Sequence, residues 1–387
     1  MKSFKKKVLW LPKWYPNKFD LLDGVFTVDH AKSAAEYCDI FVLFVHSDSD
    51  LKERRKEVYS EVNGYPELTV YFRHRNVGVK AIDKLLIGIK YIRTQFKAYK
   101  SVKKIWGQPD ITHVHTLLRS SILSLWLKWV KGTPFFVTEH WSGFDPSTKY
   151  KIGKIKRAVI RIVLNNAVCS TAVSNYLLKQ IKSYAPNARY SIISNAVNEK
   201  VFYPRERTQR KKKKIIHIST LDDYPKNFGN ILRSIAEVVK VETNFELHVI
   251  GKGEERGKQE QLATELGLHN SSVFFRGYLE KEIVAKEIAE SDFMILFSSH
   301  ETQSCVVLEA LMCGIPVIVP DLGGVQEIVN EINGAAVTPS SNTDFSEAII
   351  SFIREDQKFN SKAILSDALK YGYESIGKQF VELYSKV

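Results

Sequence analysis

The stretch DFMILFSSHETQSCVVLEALMCGIPVIV, residues 292–319, is where the fold of this chain is most legible. Residues 292–298 form an apolar run suited to a strand, and a short loop carrying Glu301 follows. A helix is expected from Gln303 or Ser304, placing Glu309 in its second turn, and PVIVP at 316–320 reads as the next strand. Both glutamates then lie near the carboxyl end of the first strand. The amides of Ser304, Cys305 and Val306 at the helix start suit phosphate oxygens, because first-turn N–H groups lack helical partners and the dipole favours an anion. Glu309 suits a pair of ribose hydroxyls, which donate hydrogen bonds to a carboxylate. Two glutamates eight residues apart are by themselves compatible with a solvated helix face, so the surrounding pattern has to decide.

Working outward, the same alternation continues in both directions. Strand-like runs at 214–220, 245–251, 272–278, 292–299, 316–320 and 334–339 are separated by stretches with helical spacing. An earlier set occurs at 5–12, 38–46, 68–74, 111–116, 134–139, 167–173 and 189–196. Repeated βαβ units imply parallel sheets covered by helices on both faces, so the expected fold class is α/β with two doubly wound, Rossmann-like domains. Their expected extents are 1–197 and 215–370, joined by a polar, basic linker at 198–214 that contains Pro204. Open parallel sheets bind ligands beyond the carboxyl ends of their strands, so function is expected in a central cleft faced by both domains.

In this setting the 301–309 pair resembles the Glu-x7-Glu motif of the retaining glycosyltransferases of family 4, which have the GT-B fold. The segment Glu309-Ala-Leu-Met-Cys-Gly-Ile-Pro-Val-Ile-Val and Gly323-Gly-Val-Gln-Glu327 continue the match. Val249 to Glu255, Val273 to Tyr278, Val173-Ser-Asn175 and Ile193 to Phe202 add segments in the same order, so the resemblance spans nearly the whole chain. It implies that Glu301 contacts donor-sugar hydroxyls near the reacting carbon, that Glu309 holds the ribose, and that Lys226 grips the diphosphate. It further implies that Gly24 lies in a phosphate-facing loop, that His140 is an active-site histidine, and that a final helix at 371–387 packs back on the first domain. One departure is Thr220, in Ser219-Thr220-Leu221, where the family has an arginine; it can donate a hydrogen bond but brings no charge. Another is Ser304 in place of a common glycine, which a helix start accepts because serine caps well.

The implied activity is retaining, metal-independent transfer of a sugar from a nucleoside diphosphate sugar to a hydroxyl of a glycan or lipid-linked glycan, with no cofactor. A nucleotide-sugar 2-epimerase on a similar fold, or a binding protein without transfer activity, are the rival readings. His113-x-His115 shows no third ligand nearby in sequence, so packing or lining is expected there rather than a metal. Gly251-x-Gly253 fails the dinucleotide spacing. Trp10, Trp14, Tyr15 and Trp141 are candidates either for stacking an acceptor sugar or for core packing.

Composition narrows the partners. The 387 residues carry a formal charge of +13, but residues 1–200 hold 34 basic and 16 acidic side chains against 22 and 27 in 201–387. That division argues against nucleic acid as the partner and for one face directed at an anion, such as a membrane surface. Basic segments at 80–104 and 149–161 can form helices with apolar faces that lie on anionic lipid or pack on a sheet. The N-terminus lacks the apolar length of a signal peptide and reads as a first strand, and the four cysteines form no C-x-x-C pair. The expected location is the cytoplasm, in solution or peripheral on the inner face of the membrane.

Overall fold

A computed structural model of the chain describes residues 6–75, 77–206, 210–355 and 359–387. It divides into two compact units, residues 1–196 with 373–387, and residues 197–372.

The first unit contains an eight-stranded sheet. Its strands are β1 (Lys7–Pro12), β2 (Asp39–Asp48), β3 (Arg55–Ser60), β4 (Glu67–Arg73), β5 (Ile111–His115), β6 (Phe135–Glu139), β7 (Ser170–Ala172) and β8 (Tyr190–Ile192). The spatial order is β3-β4-β2-β1-β5-β6-β7-β8, parallel throughout except for the β3–β4 pair. Central strands are apolar on both faces, as in Ile40-Phe-Val-Leu-Phe-Val45, because helices cover the sheet on each side. Those helices are α1 (Val25–Ala35), α2 (Lys80–Ile105), α3 (Ser121–Lys131), α4 (Lys154–Asn166) and α5 (Asn175–Lys182). Strand β3 is absent from the sequence-based expectation. Its residues, RKEVYS, are charged and mostly exposed, as an edge strand resisting further pairing should be.

The second unit is a six-stranded parallel sheet of β9 (Lys213–Ile218), β10 (Phe245–Ile250), β11 (Val273–Gly277), β12 (Phe293–Ile295), β13 (Val317–Pro320) and β14 (Gly334–Val337). The order β11-β10-β9-β12-β13-β14 is the doubly wound pattern, with its reversal between β9 and β12. Its helices are α6 (Asp223–Lys226, a single turn), α7 (Phe228–Val239), α8 (Arg256–Glu265), α9 (Lys281–Ala289), α10 (Cys305–Met312), α11 (Asn342–Arg354) and α12 (Ser361–Ala368). Helix α7 shows the logic: Phe228, Ile231, Leu232, Ile235 and Val238 fall at helical spacing and are all buried against the sheet. Each contributes roughly 1.5–3 kcal/mol of burial.

Two expectations change. Residues 198–214 are not a free connector: Phe202 is buried in the core of the second unit, Val197 N–H bonds Tyr371 O at 2.9 Å, and Lys213 and Lys214 begin β9. Apolar Val201 and Phe202 outweigh the polar look of the stretch, of which 207–209 lie outside the described residues. The basic helix expected from Lys149 starts at Lys154.

Helix α13 (Tyr373–Tyr384) belongs to the first unit. Ile376, Phe380, Leu383 and Tyr384 enter the cluster formed by Val8, Trp10, Ala31 and Ala34 of β1 and α1. Gly377 permits the approach, since a Cβ there would lie 2.3 Å from Ser33 O. Gly377→Leu is therefore expected to lower the unfolding free energy by about 1–3 kcal/mol through overpacking. Exposed Lys378→Ala on the same helix should change it by less than about 0.5 kcal/mol. Denaturant titration of both variants checks the contrast.

Candidate functional site

In the second unit, the reversal of strand order leaves a crevice between the ends of β9 and β12, and the loops leaving both strands are stitched together there. Ser299 N–H donates to Pro225 O at 2.8 Å, and Asn227 Nδ2 donates to Phe297 O at 3.2 Å. Asp223 steadies the same loop by accepting from Gly229 N and Gln259 Nε2 at 2.8 and 3.2 Å. The result brings Lys226 Nζ within 2.7 Å of Glu301 Oε1, with the Glu301 side chain 9% exposed and that of Lys226 23% exposed. Glu301 O in turn accepts from Gly324 N at 2.9 Å.

Helix α10 starts directly after this loop, with Ser304 as N-cap and Cys305 and Val306 in its first turn. The Ser304 hydroxyl makes no capping bond, so the capping role expected of it is not used. Glu309 falls in the second turn. Thr220 is exposed just past β9, and the next residue's amide, Leu221 N, bonds Lys252 O at 3.1 Å. Lys252 carries its ammonium 5.6 Å from the Tyr278 ring centre. Behind the crevice, His217 Nδ1 donates to Ile295 O at 2.9 Å and its Nε2 faces Ser219 Oγ at 2.7 Å; burial lowers its pKa to about 4.

In the first unit the corresponding crevice is at the ends of β1, β5 and β6. Gly24 precedes α1 with φ 65°, and a Cβ there would meet Trp14 C and O at 2.3 Å, so the turn requires glycine. His140 follows β6, buried, with its ring 4.4 Å from that of Phe26 and 5.2 Å from that of His30. Glu139, fully buried, holds the loops beside it. One carboxylate oxygen accepts from Leu117 N at 3.0 Å, and the other from His140 N and Trp141 N at 2.9 and 2.8 Å. Burial pushes its pKa up, while these amides and Lys13 pull it back.

The aromatic candidates separate. Trp10 is fully buried and stacks on His115 at 4.0 Å, and Tyr15 is buried with its hydroxyl on Tyr65 and Glu67; both are core. Trp14 and Trp141 flank the Lys13 ammonium at 4.1 and 5.0 Å. His113 bonds Tyr384 Oη at 2.6 Å and Thr138 Oγ1 at 2.8 Å, as packing residues do. His115 does have the neighbours that the sequence did not reveal, for one ring nitrogen each of His30, His115 and His140 lies within 4.8 Å of the others. The three rings also pack on one another, with centres 5.2 to 6.1 Å apart.

Comparison with known proteins agrees with this architecture. A family model described as Glycosyl transferases group 1 matches residues 212–355, and one described as Glycosyltransferase Family 4 matches residues 25–201. Residues 25–201 are thus a family 4 glycosyltransferase domain and residues 212–355 a group 1 domain, and the chain is a glycosyltransferase. This glycosyltransferase is 26% identical over 291 residues to N-acetyl-alpha-D-glucosaminyl L-malate synthase of Bacillus anthracis, covering 72% of this chain and 75% of that protein. It is 24% identical to alpha-monoglucosyldiacylglycerol synthase of Streptococcus pneumoniae, over 72% of this chain and 66% of the relative. It spans about half the length of some other curated relatives. Among solved structures, Anabaena HepE in complex with UDP superposes with a TM-score of 0.72 at 17% identity, over 98% of this chain and 100% of that one. The two doubly wound units are thus those of the GT-B fold.

The glycosyltransferase's sequence did not disclose Glu139 as the anchor of the His140 loop, nor the stitching by Ser299 and Asn227. A glutamate directly before the histidine at a strand end was the available signal. Glu139→Ala should cost at least about 3 kcal/mol, since three buried amides lose a charged acceptor at roughly 1–3 kcal/mol each. Chemical denaturation measures this.

The histidines give a second expectation. Burial lowers His30 to about 4 and holds His113, His115 and His140 well below 6.5, and His217 behaves as His30 does. Unfolded imidazoles protonate near 6.5, so between pH 6.5 and 4 the unfolded chain binds more protons and stability is lost as pH falls. Asp23, raised to about 6 by burial and by Asp20, and Glu139 act in the opposite sense but are fewer. The melting temperature should therefore fall steadily from pH 6.5 to 4; a flat or rising profile contradicts the neutral, buried state of these rings.

Proposed function

We propose that this glycosyltransferase is a retaining, metal-independent enzyme that moves a sugar from a nucleoside diphosphate sugar to a hydroxyl of a glycan or lipid-linked glycan, in cell-surface glycan assembly. The observation that carries the reading is the Lys226–Glu301 pair, 2.7 Å apart at the end of β12 and directly before the α10 N-terminus. The Lys226 ammonium, donating to Oε1, holds the Glu301 carboxylate in place. A sugar hydroxyl donates to Glu301, while the diphosphate draws the Lys226 ammonium and the amides of Ser304, Cys305 and Val306. Glu309 takes the ribose hydroxyls. Gly24 offers its turn amides to phosphate, and Thr220 donates a hydrogen bond in place of the missing arginine.

In the reaction, the bond from the anomeric carbon to the diphosphate oxygen breaks and a bond to the acceptor oxygen forms on the same face. The acceptor proton passes to the departing phosphate oxygen. Charge grows on that diphosphate, so a fixed ammonium and helix-start amides stabilise the transition state more than the bound donor. His140, neutral because it is buried, hydrogen-bonds sugar hydroxyls rather than serving as sole base. UDP bound to Anabaena HepE supports a nucleoside diphosphate donor, and the monoglucosyldiacylglycerol named for the Streptococcus relative supports a lipid among the acceptors. A cytoplasmic, membrane-peripheral location is part of this reading; the four cysteines form no disulfide, and among the described residues no helix is long and apolar enough to cross a membrane.

A panel of nucleoside diphosphates and their sugars, screened by thermal stabilisation, should return one preferred base. With that donor, Lys226→Ala and Glu301→Ala should each lower turnover at least about 100-fold, as loss of a transition-state electrostatic contact does. The anomeric configuration should be retained, and EDTA should leave the rate unchanged. Undiminished turnover in either variant contradicts the assignment of these residues. Nucleotide binding with no transfer to any acceptor would favour the binding-protein reading, for which Thr220 is the motivating residue.

A further inference from the structure

A cavity of about 540 Å³ in the first unit is not used by any of the groups assigned above apart from its neighbourhood with the β1 loop. It lies at the carboxyl ends of β1, β2, β4 and β5, where an open parallel sheet binds its ligands, and its size is that of a small-molecule site. Phe72 lines it from β4, Ile122 from α3, Ile87 and Tyr91 from α2, and Val159 from α4. The polar part of the lining is three cations, Lys13, Arg119 and Lys156, with His46 and Ser47, and no acidic residue is among it.

The three cations feel one another. Burial lowers the Lys13 pKa first of all, and the charges of Lys156 and Arg119 lower it further, against attraction from Glu139 and Asp23. The Lys13 ammonium is held between the Trp14 and Trp141 rings, and Arg119 spends one N–H on Lys84 O at 3.3 Å. Converging cations beside apolar walls are unfavourable until an anion with an apolar body joins them.

The outer surface beside the cavity has the same character. On α2, Ile82, Leu85, Leu86 and Ile89 stand at i, i+3, i+4 and i+7, forming one apolar stripe, yet they are 46%, 64%, 37% and 38% exposed. Lys80, Lys84 and Lys90 are exposed on the same half of the helix, and Ile155, also lining the cavity, is 84% exposed. An ordinary packed helix buries such a stripe. One flanked by lysines fits the boundary of an anionic bilayer.

We propose that this cavity binds a long-chain lipid phosphate or diphosphate, the carrier of the acceptor glycan. Its anionic head lies among Lys13, Arg119 and Lys156, and its chain runs between α2 and α4 toward the exposed stripe. A bare sugar would leave the apolar walls unused, and a nucleic acid would leave them dry and empty. Naming this lipid as the acceptor rests on the transferase reading, whereas the binding itself does not.

The test uses the full chain and farnesyl phosphate as probe, with farnesol and inorganic phosphate as controls, in isothermal titration. Farnesyl phosphate is expected to bind at least about tenfold more tightly than either control, and Arg119→Ala/Lys156→Ala should lose at least about tenfold of that affinity. Ile87→Trp, which fills the apolar part, should weaken farnesyl phosphate and farnesol alike. Retained melting temperature and retained nucleoside diphosphate binding show that the variants are folded. Equal affinity for farnesol and farnesyl phosphate, or variants that bind as the parent does, overturns the proposal. So does no farnesyl phosphate binding in a chain that still binds its nucleotide, an outcome that leaves the transferase reading standing. Farnesyl phosphate binding without any nucleotide binding does the reverse.

Discussion

Parallel strands that reverse their order leave a gap that no helix can cover, and each unit of this glycosyltransferase has one. In the first the reversal lies between β1 and β5, in the second between β9 and β12. At such a gap the loops leaving two neighbouring strands diverge to opposite faces, so their amides and side chains point into open space. Lys13, Gly24 and Glu301 lie on loops of this kind, and Lys226 ends the single turn α6 in the connection after β9. The candidate site residues of each unit are concentrated at this gap.

Holding charged groups there demands support from behind. In the second unit the support is main-chain: Pro225 O, Phe297 O and Glu301 O are each fixed by a donor from another loop. In the first unit it is a buried carboxylate, Glu139, gathering three amides. A fully buried acid is tolerated because those amides and a nearby ammonium replace most of its hydration. Both devices fix the course of a loop from its main chain, without using the side chains of Lys226, Glu301 and His140 for that task.

Sequence alone disclosed the strands that are buried on both faces, because continuous apolar runs such as that of β2 have few other interpretations. It also placed Glu301, Glu309 and Lys226 on their loops and helix, through spacing and family resemblance. It missed β3, whose charged residues pair only along one edge, and it read 198–214 as a linker because two apolar residues were hidden among basic ones. The histidines were the hardest to read. His30, His115 and His140 come from a helix, a strand and a loop far apart in the chain, and no local pattern announces their meeting. Likewise the aromatic residues near β1 look alike in sequence, yet Trp10 and Tyr15 are core while Trp14 and Trp141 flank a cation.

The place of α13 has a consequence for how the chain is made. The first unit is built from residues 1–196 and 373–387, so the second is an insertion within it. Phe380 and Tyr384 complete the cluster around Trp10, and they are synthesised after the whole of the second unit. During vectorial synthesis the second unit can therefore close its core before the first one does, although it is encoded later. Until α13 arrives, the sheet of the first unit must wait with part of its apolar surface uncovered, and it is the unit more in need of protection from association.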